Sequence, residues 1–203
     1  IAAAPLGGAT GLASAGSGQV RPPEGRVITV FSAKGGAGCS TIATNLACAV
    51  KVEHNVKVAL WDTSFQFGDI GVMLNMQPTR TIVDIMPQIN DLDEELLNGA
   101  MLTHSSGIRV LLAPPEPQYA DSIRVNHLES IIEVMKRMYD FIIIDTCTSL
   151  YDQVLTVLDA ADRIVLLLTP EIPAVKNTRL YFDIAERLNY PPEKNMLVLN
   201  KWD

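Results

Sequence analysis

"VITVFSAKGGAGCST", residues 27–41, is the stretch on which the fold turns. Its opening Val, Ile, Thr and Val are β-branched, and the run reads as a strand over 26–32. Gly35, Gly36 and Gly38 then form a turn, and the small residues that follow open a helix over 40–51. Strand, glycine-rich turn and helix, in that order, make a phosphate-binding arrangement. The glycines permit positive φ and let successive N–H groups converge on an anion. The helix aims the positive end of its dipole at the same point. Ser40 stands where a phosphate-loop hydroxyl meets Mg²⁺, and Thr41 can reach another phosphate oxygen. A dinucleotide fingerprint fits poorly, because no glycine follows Gly36-Ala37-Gly38 at the required position. Cys39 occupies the place just before the hydroxyl, where such loops carry lysine.

The same alternation runs on to the end of the chain. Strands are expected at "VKVALWD" (56–62), "IRVLLA" (108–113), "FIIIDT" (141–146), "RIVLLLT" (163–169) and "NMLVLN" (195–200). Most are apolar throughout, as strands buried on both faces are. Between 124 and 139, Val125, Leu128, Ile131, Ile132, Met135 and Met138 recur at three- and four-residue spacing and mark one buried helix face. Residues 150–160 and 173–189 also read as helices. Strand–helix alternation on this scale predicts βαβ units, hence an α/β fold of three layers with a mostly parallel sheet between helices. "TRTIVDIM" (79–86) and "DLDEELLNGAML" (91–102) read as surface helices, and "APPEPQYAD" (113–121) as a proline-stiffened connection. Asp69 reads as either a site residue or, more simply, the N-cap of a short helix over 70–74.

Composition narrows the function classes. Of 203 residues, 48% are apolar and 6% aromatic, which suits an aliphatic buried sheet better than a β-sandwich. A net charge of −7 argues against sequence-independent DNA binding, which needs clustered Lys and Arg. Cys39, Cys48 and Cys147 have neither metal-ligand spacing nor the even count of a disulfide framework, which points to a reducing cytoplasm. His54, His104 and His127 are isolated in sequence. No apolar run approaches the ~20 residues of a membrane span. Residues 1–25, rich in Ala, Gly, Ser and Pro, read as a flexible linker. We therefore expect a further domain upstream, receiver-like in the reading below, a nucleotide-binding domain over 26–203, and a continuation beyond Asp203.

"KGGAGCST" (34–41) resembles the deviant phosphate loop, KGGxGK[ST]T, of the MinD/ParA family of dimerising ATPases, which have a P-loop NTPase-like fold. The resemblance implies ATP or ADP with Mg²⁺ as ligands, held by Lys34, Gly35, Gly36, Ala37, Gly38, Cys39, Ser40 and Thr41. In that family the lysine at the place of Lys34 reaches across a homodimer interface to the partner's nucleotide. "VALWDTSFQFGDIGVMLN" (58–75) resembles the family's Asp-x-Asp region with Asp62 kept, and "YDFIIIDTCTSL" (139–150) its Walker B strand ending in Asp145. Lys34, Asp62 and Asp145 are thereby the expected catalytic groups, and Ser40, Asp62 and Asp145 the Mg²⁺ ligands. "LVLNK" (197–201) resembles the strand whose final Asn, here Asn200, contacts adenine.

"QFGD" (66–69) and "ADRIVLLLTPE" (161–171) look most like the CpaE/TadZ branch, which serves in Flp or Tad pilus assembly and whose ATPase domains often follow a receiver-like domain. That implies pilus assembly or secretion proteins as partners and a cytoplasmic protein recruited to the cell pole or inner membrane face. It implies no sequence-specific nucleic acid, and membrane contact only through a segment past Asp203.

The departures from the family pattern bear on turnover. A hydrogen bond involving a charged group contributes about 1.5–3 kcal/mol. Replacing the loop lysine by Cys39 should therefore weaken binding about ten- to a hundredfold. Ser64 stands where the family places its second Asp, and Cys147 replaces the usual Pro or Gly two positions past Asp145. Phosphoryl transfer depends on placed charge and an oriented water, so the expectation is nucleotide binding with slow or no hydrolysis. The alternative is a degenerate ATPase that dimerises whatever the nucleotide. A DNA-partitioning ATPase of ParA type is disfavoured by the acidic charge. A thiol at a helix start can also have a lowered pKa and act as a switch, but loss of side-chain function is the simpler reading of both cysteines.

Overall fold

The computed structural model of the chain describes residues 24–202. The expected linker therefore lies outside the described residues except for Glu24 and Gly25, and Gly25 already donates its N–H to Lys136 O at 2.8 Å. Among the described residues seven strands form one sheet: β1 (Arg26–Phe31), β2 (Val58–Asp62), β3 (Leu102–Thr103), β4 (Arg109–Leu111), β5 (Phe141–Asp145), β6 (Arg163–Leu168) and β7 (Asn195–Leu199). Their order is β3-β4-β2-β5-β1-β6-β7, and every neighbouring pair is parallel except β3–β4. The α/β expectation and all six expected strands are present.

Alternation along the strands divides the core into two layers. Val58 and Leu60 face the side covered by helix α1 (Cys39–His54) and the short α2 (Ile70–Met73). Ala59 and Trp61 face the other side, with α3 (Glu94–Ala100), α4 (Val125–Met138), α5 (Asp152–Ala160) and α6 (Ile172–Arg187). On α4 the buried residues are Leu128, Ile131, Ile132, Val134 and Met135; four of these belong to the expected stripe, Val134 was not in it, and its end members Val125 and Met138 are only half-buried. A fully buried side chain of this kind contributes about 1.5–3 kcal/mol relative to exposure. The sheet therefore has no wet face over its central strands.

Two segments differ from expectation. Residues 79–86 are not a surface helix: Ile82–Asp91 is a 3₁₀ segment, and Ile82, Ile85 and Ile89 are buried in the larger core layer. Pro87 and the non-helical Gln88 interrupt it, and a three-residue turn aligns Ile82 with Ile85 on one side. Within 91–102 the helix is shorter, Glu94–Ala100, with Asp93 Oδ1 accepting from Leu96 N at 2.8 Å as its cap. The chain is extended at Met101 and pairs antiparallel with β4 at Leu102 and Thr103. The connection 113–121 leads into a second 3₁₀ turn, Pro117–Ser122.

Register places the site. Val30 pairs with Asp145, and Asp145 with Asp62, so β1, β5 and β2 end level. The loops after these strands meet at the carboxyl edge of the sheet, where α/β proteins of this kind bind ligands.

Candidate functional site

The loop after β1 has the backbone that its glycines predict. Gly36 and Gly38 adopt φ of 78° and 99°. Gly38 is the N-cap of α1 in the left-handed region, with no side chain capping the helix and no acidic residue in its first turn. The first intrahelical bond is Ile42 N to Gly38 O at 2.9 Å. The N–H groups of Cys39, Ser40 and Thr41 therefore precede the helical ladder and are free for an anion. A Cβ at Gly35 or Gly36 would meet no atom within 4 Å, so there is open space beside the loop at both glycines.

Asp62 and Asp145 stand side by side at the strand ends, both buried. Asp62 is tied to backbone: Oδ1 accepts from Ser64 N at 3.0 Å and Oδ2 from Ile70 N at 3.2 Å. Burial raises its pKa to about 6 against those two bonds. Asp145 has no such ties, and both of its oxygens lack a hydrogen-bond partner among the described residues. Its pKa rises to about 7, chiefly from burial and further from Asp62, while the nearby Ser40 hydroxyl and Thr146 N–H pull it down without forming bonds of normal geometry. A buried carboxylate pair with unmet lone pairs, beside a hydroxyl, is a hard oxygen donor set suited to Mg²⁺. These residues fit that ion.

Asp69 is not the cap of α2. It occupies the N-cap position but makes no capping bond; Asp62 Oδ2 accepts the Ile70 N–H in its place. Asp69 instead lines the cavity above the loop. Cys39 is buried, and its thiol is pushed up to about 12, first by burial and then by Asp145. Burial, reinforced by Asp145, disfavours the thiolate, so Cys39 is a neutral packing residue.

Several contacts here were not legible as site features in the sequence. Lys34 Nζ lies 2.8 Å from Glu171 Oε2 of its own chain. Asn177 Nδ2 donates to Ala33 O at 3.0 Å. Asn200, expected at adenine, donates Nδ2 to Ala37 O at 2.8 Å, and Lys201 Nζ donates to Gly36 O at 2.7 Å. Glu171 and Lys201 were visible as letters in the "TPE" and "LVLNK" patterns, but nothing in the spacing said what they touch. A second cavity of about 680 Å³ opens from Ser40 and Ser64 past Cys147, rimmed by the exposed Phe67 and Tyr151.

The comparisons agree with this geometry. The sequence profile described as AAA domain matches residues 25–189. The septum site-determining protein MinD of Thermotoga maritima is 27% identical over 182 residues, 88% of this chain and 65% of that protein. The antiactivator FleN of Pseudomonas aeruginosa is 24% identical over 173 residues, 84% of this chain and 59% of that protein. A crystal structure of a ParA family ATPase from Chlorobium tepidum superposes with a TM-score of 0.80 at 26% identity, covering 87% of this chain and 74% of that one. The chain belongs to the AAA-domain family and is of MinD/ParA type.

This MinD/ParA-type chain spans less than two thirds of the length of those two curated relatives. The MinD of Pyrococcus horikoshii, solved with Mg-ADP, shares the fold at a TM-score of 0.69 and 22% identity, covering 86% of this chain and 67% of that one. Among the described residues, no helix is long and apolar enough to cross a membrane.

Proposed function

We propose that the domain binds ATP with Mg²⁺ and, so loaded, forms a homodimer that serves as a positional scaffold in pilus assembly or secretion, with slow or absent hydrolysis. The observation that carries the reading is the open loop of free N–H groups directly above an orphaned, buried Asp145. Ser40 and Asp145 would hold the ion, which when bound neutralises charge on the phosphate oxygens. Asp62 keeps the loop over residues 63–69 in place through Ser64 N and Ile70 N and retains lone pairs for a water. Ser64 adds no charge to orient that water, and Cys39 adds none to the phosphates, so the site is better furnished for binding than for turnover. The likeness of "QFGD" and "ADRIVLLLTPE" to the CpaE/TadZ pattern supports the pilus assignment.

Light scattering of the purified chain with and without ATP and Mg²⁺ tests this. ATP should raise the dimer fraction, and Lys34→Ala should abolish the gain. A second reading, an interaction module indifferent to nucleotide, is favoured by one contact: Lys34 is already engaged by Glu171 within its own chain. Under that reading neither ATP nor Lys34→Ala alters the oligomeric state.

A further inference from the structure

The cavity of about 450 Å³ above the loop is lined by two cations, Lys34 and Lys201. They are not equivalent. Lys34 pairs with Glu171 at 2.8 Å, whereas Lys201, near enough to help hold the Glu171 carboxyl below its usual pKa, is in no salt bridge among the described residues. Its ammonium rests on a neutral acceptor, Gly36 O at 2.7 Å, which uses one of its three protons. Its position is held by the backbone: Asn200 N donates to Leu168 O at 2.8 Å and Asn200 Nδ2 to Ala37 O at 2.8 Å. Lys201 itself turns into the left-handed region at φ 55°, an uncommon conformation for a residue with a side chain, and the turn sets that side chain back over the loop.

The charge balance of the site gives this placement a purpose. Asp69 lines the cavity, Asp62 and Asp145 end the neighbouring strands, and Cys39 contributes no charge where loops of this type carry lysine. A polyphosphate entering would meet carboxylates with no unpaired cation from the loop itself.

We propose that Lys201, reaching in from the end of β7, supplies the phosphate-directed positive charge that Cys39 lacks. This rests on the nucleotide reading above. A lysine on a flexible four-carbon stem can leave a neutral carbonyl for a phosphate oxygen at little cost. The clamp on Gly36 O then acts as its resting position.

The test is calorimetric titration of the full 203-residue chain with AMP, ADP and ATP, each with Mg²⁺, using wild type, Lys201→Gln, Lys201→Arg and Cys39→Lys. Lys201→Gln should weaken ATP about ten- to a hundredfold, ADP less and AMP least, and should flatten the salt dependence of ATP binding. Lys201→Arg should keep most of the affinity. In a Cys39→Lys background, Lys201→Gln should cost less than in wild type, because the charge has been restored within the loop. An equal loss for AMP and ATP, or the same loss in both backgrounds, overturns the proposal and leaves Lys201 as a loop clamp. If the wild-type chain binds none of the three nucleotides, the nucleotide reading fails and this proposal with it.

Discussion

Replacing Asp145 by Asn removes a charge from the most enclosed part of the site and should stabilise the unliganded protein at alkaline pH. The wild-type carboxyl is fully buried, both oxygens lack partners among the described residues, and Asp62 stands level on the neighbouring strand. Burial first, then Asp62, raises its pKa from 3.8 to about 7. Between those values the folded chain holds a proton that the unfolded chain has released. Stability from this group is thus greatest below pH 4 and falls as pH rises through 7. By pH 8 nearly all of the penalty is expressed, and the interval from 3.8 to about 7 corresponds to about 4 kcal/mol. The Asn amide, buried with the same lack of partners, costs about 1–3 kcal/mol. The variant should therefore gain about 1–3 kcal/mol at pH 8, equivalent to roughly 3–10 °C in Tm for a domain of this size. At pH 5, only about 1.2 pH units above 3.8, the expressed penalty is about 1.6 kcal/mol, which the cost of the buried amide offsets, and the gain should vanish. Thermal unfolding followed by circular dichroism at pH 5, 6.5 and 8, in EDTA and without nucleotide, measures the difference. A variant no more stable than wild type at pH 8, or equally favoured at pH 5, would refute the account. The same variant should lose Mg²⁺-dependent ATP binding, so stability and ligand affinity move in opposite directions.

Two further outcomes follow from the loop. Gly38→Ala places a Cβ at φ 99° and 2.8 Å from Asn200 Nδ2, so it should cost about 1–3 kcal/mol in urea unfolding and loosen the clamp on Ala37 O. Wild-type stability in that variant would show that the loop is not held by Asn200. Cys39, with its thiol pushed up to about 12, should resist alkylation at pH 7.5 until the chain unfolds. Mass spectrometry after iodoacetamide treatment reads this directly, and rapid labelling of Cys39 would revive a thiol switch.

The layering of the fold was legible because buried parallel strands and amphipathic helices carry their own periodicities. "FIIIDT" announces a strand enclosed on both faces, and the stripe from Leu128 to Met135 announces the face that α4 buries. The Ile82–Asp91 segment was misplaced on the surface because its apolar residues fall at 3₁₀ spacing around Pro87, a short irregular pattern that resembles an exposed helix. The two residues of β3 leave no periodic trace at all.

At the site, the sequence by itself determined the local chemistry: a glycine turn between a strand and a helix, a hydroxyl at Ser40, a carboxylate ending each of two strands, and a missing lysine at Cys39. These are properties of neighbours along the chain, and backbone geometry follows from them. Tertiary structure alone decided which distant groups share that space. It set Asp62 to hold α2 in the place of Asp69, paired Lys34 with Glu171, and brought Asn200 and Lys201 onto the carbonyls of Ala37 and Gly36. More than 130 positions separate the partners in each of the last three contacts, and their meeting depends on β6 and β7 stacking beside β1 in register. Spacing along a chain carries no record of such distances, which only the assembled sheet creates.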